Sequence, residues 1–305
     1  MTTASYTGLS KWHAPVTPPP RDGHFSSTHW IHGYDSEEAP YSQHDMYMDI
    51  TGKSKVQNMA MTLGLVLERP MAEIARLKIS KEMGIGDLEI DACPTRVLKY
   101  EGVNFRDTCD FILSRQDWEE TYGLEIKTVS SFKQKKLWGD EWTDQVPLHV
   151  KLQCWAHLHA NGLDKCFVAS WFYTPNEPTI YLVERPEESE MESVMDNLVA
   201  WHRQYIDTDE MLSIDGSAGC TKYLQRIEQL EDDIIEATTE DMGLMSNYVV
   251  AKKMAAESKL ALEDAKNQIR ARIGENAGIS FGDYGKIKWT GKKVRRMTDT
   301  IDMGE

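Results

Sequence analysis

The sequence predicts an α/β fold: a central mixed sheet flanked by helices, with a helical extension at its C-terminal end. Three observations lead there. Short apolar runs with strand-like composition occur at 108–113, 124–128, 168–172 and 180–183. Segments around 64–70 and 147–162 have helical spacing and divide those runs into helix, meander, helix and strand pair. From 221 to about 273, apolar residues recur at helical intervals with no strand signal among them.

The elements follow in order. Residues 1–45 carry Pro15, Pro18, Pro19 and Pro20 among many Ser, His and Tyr, with little periodicity, and read as an extended arm. Gly64-Leu65-Val66-Leu67-Glu68-Arg69-Pro70 reads as a helix with a carboxylate among apolar residues. Thr108-Cys109-Asp110-Phe111-Ile112-Leu113 reads as a strand with Asp110 near its start, 116–122 as a turn, and 124–128 as the return strand of a hairpin. Successive strand side chains alternate, so Glu125 and Lys127 share one face and Ile126 points to the core. The stretch 147–154 leads into an amphipathic helix ending at Asn161-Gly162, and 168–172 and 180–183 form two more strands joined at Pro175-Asn176. Leu224, Ile227, Leu230 and Ile234 then form an apolar stripe that the polar stretch 238–243 breaks. A second helix from about Leu244 carries Val249, Met254, Leu260, Leu262, Ile269 and Ile273, and Gly274 and Gly278 stop it. Residues 278–289 read as a closing strand pair ahead of a basic tail. The expected organisation is an arm over 1–45, a core over 46–215 and an extension over 216–305.

Asp110 and Glu125 can converge on one hard cation through oxygen, as Mg²⁺ and Mn²⁺ prefer. Asp…Glu-x-Lys alone is a weak pattern, because such triplets arise by chance in charged proteins. It gains weight from Glu68 on the helix before it and Gln153 on the helix after it. Carboxylates this close repel one another unless a cation sits between them. The histidine pair His157 and His159, with His149 nearby, offers no comparable zinc site. Positions two apart on a helix face about 200° apart, so a structural role is the better reading.

The resemblance that these residues carry is to the PD-(D/E)XK nuclease core. The order Glu68, Asp110, Glu125-Ile126-Lys127, Gln153 resembles that of the YqaJ-type viral recombinase nucleases, relatives of phage lambda exonuclease, over about residues 56–205. The Gly-x-x-x-Glu-x-Pro helix, the Glu-Ile-Lys strand and the Val-Pro-x-His-x-x-x-Gln approach to the second helix are its best pieces. This resemblance implies a PD-(D/E)XK restriction-endonuclease-like core and a Mg²⁺-dependent deoxyribonuclease, with Mn²⁺ as substitute and two ions per site. Asp110, Glu125 and the Ile126 carbonyl would be metal ligands, with Glu68 reaching the same ions. Lys127 would orient or activate the attacking water, Gln153 would position the water or the scissile phosphate, and Thr108 would hydrogen-bond a phosphate. The implied reaction is 5′-to-3′ resection of double-stranded DNA ends for phage-type recombination, by a homo-oligomer with a single-strand annealing protein as partner. An endonuclease or a RecB-like nuclease on the same core, or a non-catalytic DNA-binding module, are the alternatives. The N-terminal segment departs from the family, whose members often begin with a short segment bearing arginine and serine.

The net charge of −15 is awkward for a DNA partner, since phosphate binding wants cations. Local patches matter more than the total within a Debye length of about 8 Å. Lys133, Lys135 and Lys136, interleaved with Trp138 and Trp142, read as a DNA-contacting patch beside Lys127. Lys286, Lys288, Lys292, Lys293, Arg295 and Arg296 form a second basic cluster around Trp289, balanced between a solubilising face and DNA contact. The acidic run 184–192 reads as a solvated helix start. Cysteines 93, 109, 154, 166 and 220 include no Cys-x-x-Cys, which argues against disulfides, structural zinc and an iron–sulfur cluster and for reduced, buried thiols. No apolar run approaches membrane-spanning length and no signal core precedes the arm, so the expected setting is the cytoplasm of a bacterial host, with the gene carried by a phage or prophage.

Overall fold

The alternation of apolar residues in two neighbouring strands decides the architecture. In β7 (Lys165–Phe172) Cys166 and Val168 pack into one apolar cluster, and Phe167, Ala169 and Trp171 into another. In β8 (Thr179–Glu184) Tyr181 and Val183 join the first cluster, Ile180 and Leu182 the second. A sheet built of such strands must be covered on both faces. The computed structural model, which describes residues 23–34, 42–52, 59–86, 88–115, 120–129, 136–172, 177–208, 210–225, 236–290 and 296–299, shows that arrangement. Its contacts divide the chain into two units, Met1–Glu228 and Gln229–Glu305.

In the first unit, β2 (Glu89–Ala92), β5 (Phe111–Ser114) and β6 (Tyr122–Val129) join β7 and β8 in one sheet of order β2-β5-β6-β7-β8. Neighbours are antiparallel except β6 and β7, which run parallel. A parallel pair needs a crossover, and α3 (Leu148–Asn161) supplies it, closing on Gly162 in the left-handed conformation as the sequence predicts. Helix α2 (Met59–Glu82) lays Met71, Ala72, Ala75 and Ile79 on the second cluster. It runs through Pro70, which cannot donate to the Val66 carbonyl. On the other face α3 and α4 (Glu188–His202) contribute Val150, Leu158, Met191, Val194 and Leu198 to the first cluster. The helices and sheet together form the α/β core that the sequence predicts, a mixed sheet covered on both faces. The 116–122 turn is shorter than expected: Tyr122 is already a buried strand residue, and 116–119 lie outside the described residues. So do Pro175 and Asn176, where the β7–β8 turn is expected.

The arm is corrected in part. Residues 1–22 and 35–41 lie outside the described residues, but 24–33 are mostly buried and join the core. β1 (His24–Ser26) runs parallel to β4 (Val103–Asp107), which pairs antiparallel with β3 (Arg96–Tyr100) to make a second sheet of order β1-β4-β3. A 3₁₀ helix, Ser27–His32, follows β1. Phe25, Trp30 and Ile31 are all buried, each contributing roughly 1.5–3 kcal/mol. Such short elements carry no detectable period, and this hides them from a pattern search. The β3–β4 turn is a two-residue hairpin with Glu101 (φ 48°) and Gly102 (φ 91°) both left-handed, as a type I′ turn requires.

The C-terminal boundary also moves. Helix α5 (Ala218–Leu224) packs on α1 (Gln43–Ile50), so residues 216–228 belong to the first unit rather than to the extension. Ile227, Leu230 and Ile234 lie outside the described residues. In the second unit α6 (Thr239–Ile273) begins five residues earlier than expected. The polar stretch read as a breaker is a start signal: Thr238 and Asp241 form a capping box. Gly243 is absorbed at a cost of about 1 kcal/mol. β9 (Gly278–Ser280) and β10 (Lys286–Thr290) form the expected strand pair, and β11 (Arg296–Asp299) adds a third strand where a tail was expected. Lys286 and Lys288 share the exposed face of β10, opposite the buried Ile287, while 291–295 lie outside the described residues. No helix among the described residues is long and apolar enough to cross a membrane.

Candidate active site

The β5–β6 register sets Phe111 opposite Leu124, so Asp110, one residue before β5, lies across from Glu125. Its Oδ2 accepts the Ile126 N–H at 2.7 Å. In a strand the N–H and C=O of one residue point to the same edge. The Ile126 carbonyl therefore faces the Asp110 edge as well, beyond the end of β5. Glu125 and Lys127 share a face of β6, and the α3 crossover brings Gln153 over them. Lys127 Nζ donates to Glu125 Oε1 at 2.5 Å and to Gln153 Oε1 at 2.8 Å. Gln153 Nε2 donates to the same Glu125 oxygen at 2.8 Å. Glu68, on α2, hydrogen-bonds Asp110 through their side chains. Five of the residues singled out in the sequence thus meet at one end of the β5–β6 pair.

The network continues inward through residues the sequence reading did not assign. His157 lies between two carboxylates, with Nε2 3.1 Å from Glu125 Oε2 and Nδ1 2.7 Å from Asp107 Oδ1. All three are buried, His157 completely. Asn161 Nδ2 donates to the other Asp107 oxygen at 3.2 Å, and the Cys93 thiol donates to Asn161 Oδ1 at 3.4 Å. His149, Gln153, His157 and Asn161 recur at four-residue intervals, one polar stripe along the helix. That spacing was the available signal. His159 faces away, near Glu188 and the Trp30 ring, so the two histidines do diverge.

Charge balance explains the protonation of each group. Burial alone would depress His157, but Asp107 and Glu125 outweigh it and hold the imidazole well above its usual pKa. Burial would raise Glu125, yet Lys127 and His157 hold it below the carboxylate range. Burial would lower Lys127, and the Glu125 and Asp110 carboxylates raise it instead. Asp110 is pushed well up by burial, then by the charges of Glu125 and Glu68. Glu68 is also raised, mainly by burial. Two neighbouring carboxyls that resist ionisation together are a donor set suited to a hard cation, which would offset both. Asp110, Glu125, Glu68 and the Ile126 carbonyl therefore fit a divalent ion in donor chemistry.

The remaining residues from the sequence reading stand elsewhere. Thr108 is exposed, outside any strand, with its hydroxyl 3.0 Å from that of Thr95. The shared strand face assumed for Thr108 and Asp110 does not exist, because β5 starts only at Phe111. Lys133 and Lys135 lie outside the described residues, and Lys136 is exposed. Trp138 packs on Phe172 and Tyr181. Trp142 packs on Phe167 and donates to Glu82. Both rings are thus occupied in packing instead of facing a nucleic acid. All five cysteines are free and buried.

No family profile and no curated protein sequence matches the chain. Among solved structures it is similar to an alkaline exonuclease from Laribacter hongkongensis, at 16% identity and a TM-score of 0.43 over 62% of this chain and 94% of that one. It is also similar to a phage-related exonuclease from Haemophilus somnus 129PT, at 11% identity and a TM-score of 0.42 over 61% of this chain and 96% of that one.

Proposed function

We propose that the chain is a Mg²⁺-dependent deoxyribonuclease that resects double-stranded DNA ends. The observation that carries this reading is the convergence of Glu68, Asp110, Glu125, Lys127 and Gln153 at one end of the β5–β6 pair. Asp110, Glu125 and the Ile126 carbonyl would hold the ions, two per site, with Glu68 completing the set and Mn²⁺ as a substitute. A bound divalent ion lowers the pKa of water and offsets charge on the phosphate and leaving oxygens. Lys127 stays protonated, because its pKa is raised, and so acts as a cation and donor instead of a base. Two of its three protons are spent on Glu125 and Gln153. The third orients the attacking water and offsets the negative charge that develops on the phosphate. Gln153 bridges Lys127 and Glu125 and fixes both rotamers, which keeps the reacting groups in register.

Resemblance to the lambda-type nucleases supports exonucleolytic, 5′-to-3′ resection by a homo-oligomer, feeding a single-strand annealing protein in phage-type recombination. Lys136, with Lys133 and Lys135, would contact the DNA backbone. The test is digestion of end-labelled linear duplex against covalently closed circles, with Mg²⁺ or with EDTA. Loss of linear DNA alone, from the 5′ end and only with metal, is the expected result. Cutting of closed circles would replace it with the endonuclease reading. Lys127→Ala should lower the rate by about 10²–10³-fold or more while retaining Mn²⁺, and Asp110→Ala should lose both. Wild-type cleavage by either variant would show that the chemistry lies elsewhere.

A further inference from the structure

One other set of metal-capable side chains comes together among the described residues: His44, Asp215 and Cys220, with one donor atom from each within 4.8 Å of the other two. None of them belongs to the carboxylate cluster. His44 is on α1, and Asp215 and Cys220 bracket the start of α5, the helix packed against α1. His44 is only 2% exposed, yet neither of its ring nitrogens has a hydrogen-bond partner. Its Nδ1 points at Asp215 Oδ2 from 3.8 Å, too far for a hydrogen bond. A buried imidazole with both nitrogens unused calls for a ligand, because buried polar groups are otherwise satisfied.

The other two donors are held by one turn. Asp215 Oδ1 accepts the Ser217 N–H at 2.8 Å, Oδ2 is the oxygen turned to His44, and Ser217 Oγ accepts the Cys220 N–H at 3.0 Å. Cys220 is fully buried, while the Asp215 side chain is half exposed and opens the group to solvent. We propose that His44, Asp215 and Cys220 form a zinc site, with water in the fourth position. Imidazole, thiolate and carboxylate are the zinc ligand types, whereas Mg²⁺ and Ca²⁺ take oxygen alone. Tetrahedral zinc sets its ligand atoms roughly 3.3–3.6 Å apart, a contraction that a change of the exposed Asp215 rotamer can supply. Binding releases the Cys220 thiol proton to solvent. The ion would clip α1 to the turn that opens α5, joining residues about 170 positions apart in the chain.

The test uses the full chain, stripped with a chelator and titrated with Co²⁺. A near-ultraviolet thiolate-to-cobalt charge-transfer band should saturate at one equivalent, and Zn²⁺ should abolish it. The band should be lost in Cys220→Ser, and affinity should fall about tenfold or more in Asp215→Asn. Asp215→Asn changes an exposed side chain, so it stays readable even if Cys220→Ser does not fold. No band in the wild type, a band that survives Cys220→Ser, or unchanged affinity in Asp215→Asn overturns the proposal. Asp110→Asn should keep the band, because the carboxylate cluster offers no thiolate. The nuclease reading and the zinc site can therefore fail separately.

Discussion

An imidazole buried between two carboxylates constrains both of them. His157 engages one oxygen of Glu125 and leaves the other to Lys127 and Gln153, so the carboxylate cannot rotate without breaking three bonds. Replacing His157 by Leu would leave Asp107 and Glu125 buried without their shared cation. The expected loss is about 3–5 kcal/mol of stability, read by urea unfolding, together with weaker Mn²⁺ binding. An unchanged midpoint would mean that the imidazole carries no charge there. Because the His157 pKa is raised in the folded state, its contribution is complete below the unfolded value of about 6.5. It fades as pH rises through the folded value. His32 works in the opposite sense. Burial, then the neighbouring His29, push its pKa down to about 4. The unfolded chain therefore binds a proton between about pH 6.5 and 4 that the folded chain refuses, a loss of about 3 kcal/mol on acidification through that range. His32→Gln should remove that share of the acid slope in urea unfolding at stepped pH. An equal slope in both proteins would contradict it. Glu125 and Lys127 were legible because strand alternation fixes two residues at once. Asp107 was not, because its meaning depends on a histidine 50 positions away.

At the scale of elements, long periodic pieces were legible and short tertiary ones were not. β7 and β8 could be read from their unbroken apolar runs, and α3 from its amphipathic spacing and its Gly162 stop. β1 and the 3₁₀ helix after it are three and six residues long, too short to show any period. They exist because β4 offers an edge and α3, with α4, offers an apolar surface. Gly33 records how close that docking is, since a Cβ there would stand 2.4 Å from the Val194 carbonyl oxygen on α4. Its φ of −85° is ordinary, so any cost of Gly33→Ala comes from overpacking and not from backbone strain. About 1–3 kcal/mol should be lost, measured as a lower unfolding midpoint. A neutral result would return 24–34 to the arm that the sequence suggested. Trp138 and Trp142 make the complementary case. Sequence proximity to lysines made them resemble a stacking surface, but which way a ring faces is decided by residues such as Phe167, Phe172 and Tyr181 that are distant in the chain.

At the scale of the whole molecule, the two units differ in how they are held together. Both large apolar clusters are built from residues up to Tyr223, all within the first unit. The second unit rests on a 35-residue helix whose one buried residue among those described is Ile273. Leu244, Val249, Met254, Leu260 and Leu262, apolar residues that the sequence places along this helix, are all more than half exposed. A helix of this kind draws on propensity, caps and exposed local ion pairs such as Arg270–Glu263, which stabilise little, and not on a core. Stability should therefore be unequal between the units. The amides of α6 should exchange with deuterium faster than those of β6 and β7 in the full chain. A protein truncated after residue 228 should keep the cooperative urea transition of the first unit and bind Mn²⁺ as the full chain does, since every proposed metal ligand remains. Loss of the transition on truncation would mean that the second unit supplies stability to the first. A retained transition with lost DNA digestion would assign the second unit to substrate or assembly, the role that the exposed face of α6 and the paired lysines of β10 leave open to it.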